Sequence, residues 1–148
     1  MHSRALHDIP SSLNNVIEAE MSAQAVKVIL ESGDFRKTAD IASDTLGSSN
    51  PRLQFNCWKK AGLVFVIRHR GSDLYPIYAL DLEGSVRPLP IMGQILRIFA
   101  GKDAWQKAFW FASVNSYLGN KTPKELLRSR PEEVLRAAQI EAAGVLHG

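Results

Sequence analysis

Apolar residues early in the chain recur at three- and four-residue intervals: Leu13, Val16, Ile17 and Met21, then Val26, Ile29 and Leu30. This spacing puts them on one helical face, with Ser11 or Ser12 as the cap and Gly33 as the stop. The next stretch, "KTADIASDTLG", keeps Ala39, Ile41, Ala42 and Leu46 in helical register before Gly47, and "SSNP" then interrupts the chain. Pro51 suits the first position of a following helix, which carries Leu53, Phe55 and Trp58 inward and ends near Gly62. Two short helices joined by a glycine-containing turn follow the helix-turn-helix pattern.

The period then changes. "LVFVIRHR" and "LYPIYAL" are rich in β-branched and aromatic residues and flank Gly71 and Ser72, which predicts a hairpin turning at that pair. Pro76 cannot donate to a ladder, so its strand is expected at an edge or bent. Beyond "GSVRPLP" the helical period returns in Ile91, Ile95, Leu96, Ile98 and Phe99, closed by Gly101. An aromatic helix is expected over "DAWQKAFWFASVNSYLGN", turning at Gly119 and Asn120. "TPKE" supplies a capping box from Thr122 to Glu125 with Pro123 at the first helical position, and Pro131 opens a last helix with Glu132 and Glu133 in its first turn.

These patterns predict an α+β, mostly α chain. Residues 1–33 form an N-terminal helical segment, 34–87 a winged helix-turn-helix-like region and 88–148 an all-helical domain, with a hinge near Arg87 to Pro90.

With 148 residues and 45% hydrophobic content, the chain can bury a core as one domain or two small lobes. Its apolar runs are far shorter than the roughly 18 to 20 residues of a membrane helix, so a cytoplasmic protein without membrane contact is expected. One cysteine, Cys57, excludes an internal disulfide and a paired-cysteine metal clip. The net charge of +3 is unevenly spread: residues 51–101 hold seven basic and three acidic side chains, whereas residues 1–50 hold four and seven.

That middle segment has five cations between Arg52 and Arg70 and no acid among them. On the helix plan, Arg52, Gln54, Asn56, Lys59 and Lys60 face outward, and Arg68 and Arg70 lie at the wing tip beside His69. A recognition helix needs this division, because polar side chains reach bases and phosphates while apolar ones fix the docking angle. These seven residues are the candidate DNA contacts. The competing reading is a solvated basic face that keeps an edge hairpin from aggregating.

"KTADIASDTLG" followed by "FNCWKKAGLVFVI" looks like the reader of bacterial helix-turn-helix regulators. "FWFASVNSYLGNKTPKELLRSRPEEVLRAAQIE" resembles the toxin-binding domain of the Xre/MbcA/ParS antitoxin family. The resemblance covers the last third to two fifths of the chain, and its core is an Asn-x-x-Leu-Gly turn, a helix-opening Pro and a Leu-Leu pair. It implies partner contacts at Trp110, Asn115, Leu118, Gly119, Pro123, Leu126 and Leu127, with Val134 on the final helix; because interface centres favour Trp and Tyr, Trp110 or Tyr117 is the expected aromatic anchor. It further implies a cognate toxin of the NAD-consuming RES class, operator DNA, autoregulation and a homodimer. The hairpin departs from the all-helical reader of that family.

Each feature also has an ordinary explanation. Trp105, Phe109, Trp110 and Phe111 at helical spacing suit a core, and Asn115 with Gly119 suits a helix end. No P-loop, dinucleotide fingerprint, zinc-protease motif or nucleophile elbow occurs. Cys57 beside Trp58 reads as a small buried hydrophobe, and Asp81 with Glu83 as a turn. Neither enzyme activity nor a cofactor is expected. Three readings stand: an antitoxin-like regulator, an interaction and dimerisation module without DNA binding, and a small enzyme.

Overall fold

Ser32 and Gly33 end the first helix as their chemistry allows. In the computed structural model, which describes residues 22–42 and 50–147, helix α1 covers 22–31. Ser32 Oγ donates to the Ile29 carbonyl at 2.6 Å, and Gly33 turns the chain at φ 81°. The helix expected from Ser11 to Met21, and the turn through Leu46 and Gly47, lie outside the described residues.

A short strand β1 (Phe35–Arg36) leads into α2 (Thr38–Ala42), which packs against α3 (Pro51–Lys60). Asn50 caps α3 by accepting from the Leu53 N–H at 3.1 Å, and Pro51 opens it without losing a bond. At the other end, Leu63 N–H reaches the Trp58 carbonyl and Gly62 N–H the Lys59 carbonyl, with Gly62 at φ 75°. This is the Schellman closure that glycine favours.

β2 (Ile67–His69) and β3 (Ser72–Pro76) form an antiparallel hairpin in which His69 faces Ser72 and Arg68 faces Asp73. Its two loop residues are Arg70 (φ 51°) and Gly71 (φ 78°), so the turn lies one residue earlier than the expected Gly71–Ser72 pair. Positive φ at both positions matches the twist of the flanking strands. The expected long strands are also shorter, since Ile77–Ala79 is a 3-10 turn.

Pro76 does not mark an edge. The strand order is β1-β3-β2, which makes β3 central, and Pro76 pairs with Phe35. Ile77 N–H donates to the Asp34 carbonyl at 2.8 Å, so the adjacent Phe35–Pro76 pair is the non-hydrogen-bonded kind, where the missing N–H costs nothing.

β4 (Leu80–Asp81) pairs with β5 (Arg87–Pro88), so the boundary drawn between residues 87 and 88 falls inside a strand. The region after it is therefore not wholly helical. Four helices follow: α4 (Pro90–Ile98), α5 (Ala104–Ala112), α6 (Pro123–Leu126) and α7 (Pro131–His147). α5 stops well before Gly119: Ser113 is extended, and its Oγ donates to the Phe109 carbonyl at 2.7 Å. Asn115 then starts a separate 3-10 turn over Ser116–Leu118.

The larger buried cluster joins Ile29, Phe35, Phe65, Ile67 and Ala79 to Met92, Ile95, Phe99, Phe111, Leu127 and Val134. A smaller one beneath α3 holds Phe55, Val64, Tyr75, Leu80 and Val86. Packing thus runs across the expected hinge without a gap.

Candidate functional site

The cationic residues come together because α3 lies beside the hairpin. An open cleft of about 720 Å³ separates α2, α3 and β3, and Lys37, Asn50, Arg52, Asn56, Arg68 and Asp73 are among its lining residues. Of the seven candidate DNA contacts, Arg52, Asn56 and Arg68 therefore share one concave surface. Gln54 is half-buried on α3, Lys60 is exposed at its end, and Arg70 is exposed in the hairpin loop.

Lys59 and Arg68 are held by an acid that follows the cationic run. Lys59 Nζ donates to Asp73 Oδ2 at 2.9 Å, and Arg68 Nη1 donates to Asp73 Oδ1 at 3.0 Å. The lysine hydrogen bond is the foremost reason the Asp73 carboxyl titrates below its ordinary value; partial burial opposes it and Arg68 adds to it. Lys59 is about one third exposed, whereas Arg68 is mostly exposed, so the first pair is the stronger constraint. Arg52, Lys60 and Arg70 form no ion pair with a described residue.

Two expectations for α3 are overturned. Leu53 is 58% exposed rather than anchored inward, and Cys57 is exposed rather than buried. The cause is geometric. At roughly 100° per residue, both lie on the face opposite Phe55, which is buried, while Trp58 shares the Phe55 side and meets its ring at 4.9 Å.

The second candidate surface lies on the helical side. Val114, Asn115, Ser116 and Tyr117 form a groove of about 470 Å³ with Ala137, Ile140, Glu141 and Gly144 of α7. Asn115 shapes this turn: its Oδ1 accepts from the Tyr117 N–H at 2.9 Å, and its backbone bridges to Lys121. Gly119 (φ 67°) and Asn120 (φ 63°) reverse the chain in consecutive left-handed positions.

This arrangement divides the expected partner contacts. Tyr117 and Gly119 are exposed and Asn115 is half-buried, whereas Leu118, Pro123, Leu126 and Leu127 are buried. Trp110 packs against Phe99 and Phe111 with ring centroids 4.8 and 5.1 Å away, and its buried Nε1 has no hydrogen-bond partner among the described residues. Leu118, Leu126 and Leu127 belong to the larger buried cluster, Pro123 is fully buried, and Trp110 packs partly buried against that cluster. Sequence reasoning missed Val114, which is 70% exposed beside Tyr117 at 66%. Its signal was an apolar residue between Ser113 and Asn115, both of which favour leaving a helix.

Among the described residues, no group of three or more His, Cys, Asp or Glu is placed to hold a metal ion, and no helix is long and apolar enough to cross a membrane. No protein-family model, curated protein or solved structure matches the chain.

Proposed function

We propose that the chain is an antitoxin-like regulator that binds operator DNA through α3 and its hairpin and neutralises a partner toxin through the turn at 114–121. The supporting observation is the cleft between α2, α3 and β3, where Lys37, Arg52 and Arg68 meet Asp73, the one acid among the described lining residues. Cations converging from a helix and a neighbouring hairpin suit a phosphate backbone better than a flat solvated face does. Asn56 in the same cleft offers an amide to a base edge.

The partner reading draws on a different observation. Val114 and Tyr117 project from a turn fixed by Asn115, Gly119 and Asn120, giving an exposed apolar pair on a preorganised backbone. In this proposal the partner is a toxin of the NAD-consuming RES class, and a two-fold pair of chains presents two DNA-reading faces to paired half-sites.

One observation favours the alternative of a protein-interaction module with a solvated basic face: Asp73 already neutralises part of the charge of Lys59 and Arg68. Mobility shifts with the DNA upstream of the gene separate the two. Arg52→Glu with Lys60→Glu abolishes the shift at low salt under the regulator reading; equal shifts for both proteins, or none for the wild type, favour the module.

A further inference from the structure

We propose that Asp73 is an internal competitor for phosphate: in the free protein its carboxylate holds the two cations that a DNA backbone phosphate takes over in the complex. The inference rests on the DNA reading above and adds a residue that sets how tightly and how selectively that face binds.

The geometry carries it. Each carboxylate oxygen takes a different cation, Oδ2 the Lys59 ammonium at 2.9 Å and Oδ1 the Arg68 guanidinium at 3.0 Å. One cation comes from the last turn of α3 and the other from β2, so the acid spans the two elements that form the candidate interface. A phosphate likewise offers two charged oxygens to paired donors, which makes it chemically equivalent at this position. Arg68 is 70% exposed, so the cation can swing outward without first breaking a packed core. Asp73 and Arg68 both line the cleft, where Arg52 and Lys37 supply further positive charge and no other acid is among the described lining residues.

The consequence is a brake on indiscriminate binding. Any polyanion must first displace Asp73 and then tolerate its charge nearby, so only a duplex that also satisfies the rest of the face binds well. A carboxylate that served only to tether the hairpin to α3 would have the opposite effect when neutralised, because the loosened hairpin would present its cations less well.

The experiment uses the full chain and a fluorescently labelled duplex of about 20 base pairs, titrated over a range of salt. Asp73→Asn keeps the shape and one hydrogen bond of the side chain. It should bind about five- to tenfold more tightly at low salt, with a log-log salt slope steeper by about 1. Lys59→Gln should also cost more affinity in the Asp73→Asn background than in the wild type, a coupling that tethering alone does not produce. Binding by the wild type with Asp73→Asn equal or weaker overturns this inference and leaves the DNA reading intact. Absence of binding by both proteins overturns both. A measurement without substitution is the Asp73 Cγ resonance of the wild type, which should shift on saturation with duplex; an unmoved resonance in a saturated complex overturns the exchange.

Discussion

Whether Arg68 or Arg70 faces Asp73 depends on one residue of turn register. A loop at Gly71 and Ser72 would set Arg70 against Asp73, whereas the observed loop at Arg70 and Gly71 sets Arg68 there and leaves Arg70 exposed. The cationic run was legible in the sequence; the acid that neutralises part of it was not, because hairpin register and the packing of Lys59 decide that contact. Leu53 and Cys57 depart from the expected inward positions for a related reason, since an apolar residue on a ten-residue helix is inward only if it shares the face of Phe55. Asp73 also has a pH consequence. Its carboxyl titrates below the ordinary 3.8, so its contribution to stability is fully present above that value and is lost as pH falls through the lowered one. Thermal melts from about pH 6 to about pH 2.5 should show a steeper acid decline for the wild type than for Asp73→Asn. Parallel curves would contradict the assignment.

At the scale of elements, turn and cap chemistry account for most of the boundaries. "TPKE" starts a helix as its pattern predicts, and Glu125 Oε2 accepts from both the Thr122 N–H at 2.9 Å and its hydroxyl at 2.8 Å. "DAWQ" carries the same grammar: Asp103 accepts from the Gln106 N–H and Gln106 accepts from the Asp103 N–H, each at 2.8 Å. Asp103→Ala should therefore destabilise the protein by about 1 kcal/mol in urea unfolding. Arg70 makes the opposite case. It holds φ 51° in a position that asparagine adopts more readily, so Arg70→Asn should raise stability by about 0.5 to 1 kcal/mol. The same change removes an exposed cation from the proposed DNA-reading face and, on that proposal, lowers the salt slope of binding by about 1. The end of α5 at Ala112 escaped the sequence because the aromatic pattern continues past it; side-chain bonds at Ser113 and Asn115 stop the helix first.

For the whole molecule, Phe111 joins what patterning had separated. Its ring stacks on Phe65 at 5.8 Å and meets Tyr78 at 5.4 Å, both from the N-terminal side of the expected hinge. The change of period across "GSVRPLP" is real in the sequence, yet periodicity reports local backbone and cannot show which side chains meet across it. Phe111→Ala should cost about 3 to 5 kcal/mol and destabilise hairpin and helices together, with one transition by both far-ultraviolet and tryptophan signals. Tyr117→Ala, at an exposed position, should leave the melting temperature nearly unchanged while, on the proposed antitoxin reading, abolishing capture of the partner toxin. The central claim is that this folded unit reads DNA through the cleft between α2, α3 and β3, and its most direct test is the salt dependence of binding to the duplex upstream of the gene. Between about 50 and 200 mM salt, the wild type should lose affinity with a log-log slope of about 3 to 5, and an Arg52→Gln/Lys60→Gln variant, which removes two cations without reversing charge, should show a slope lower by about 2. Affinity that is flat across that range, or identical slopes for the two proteins, would contradict it.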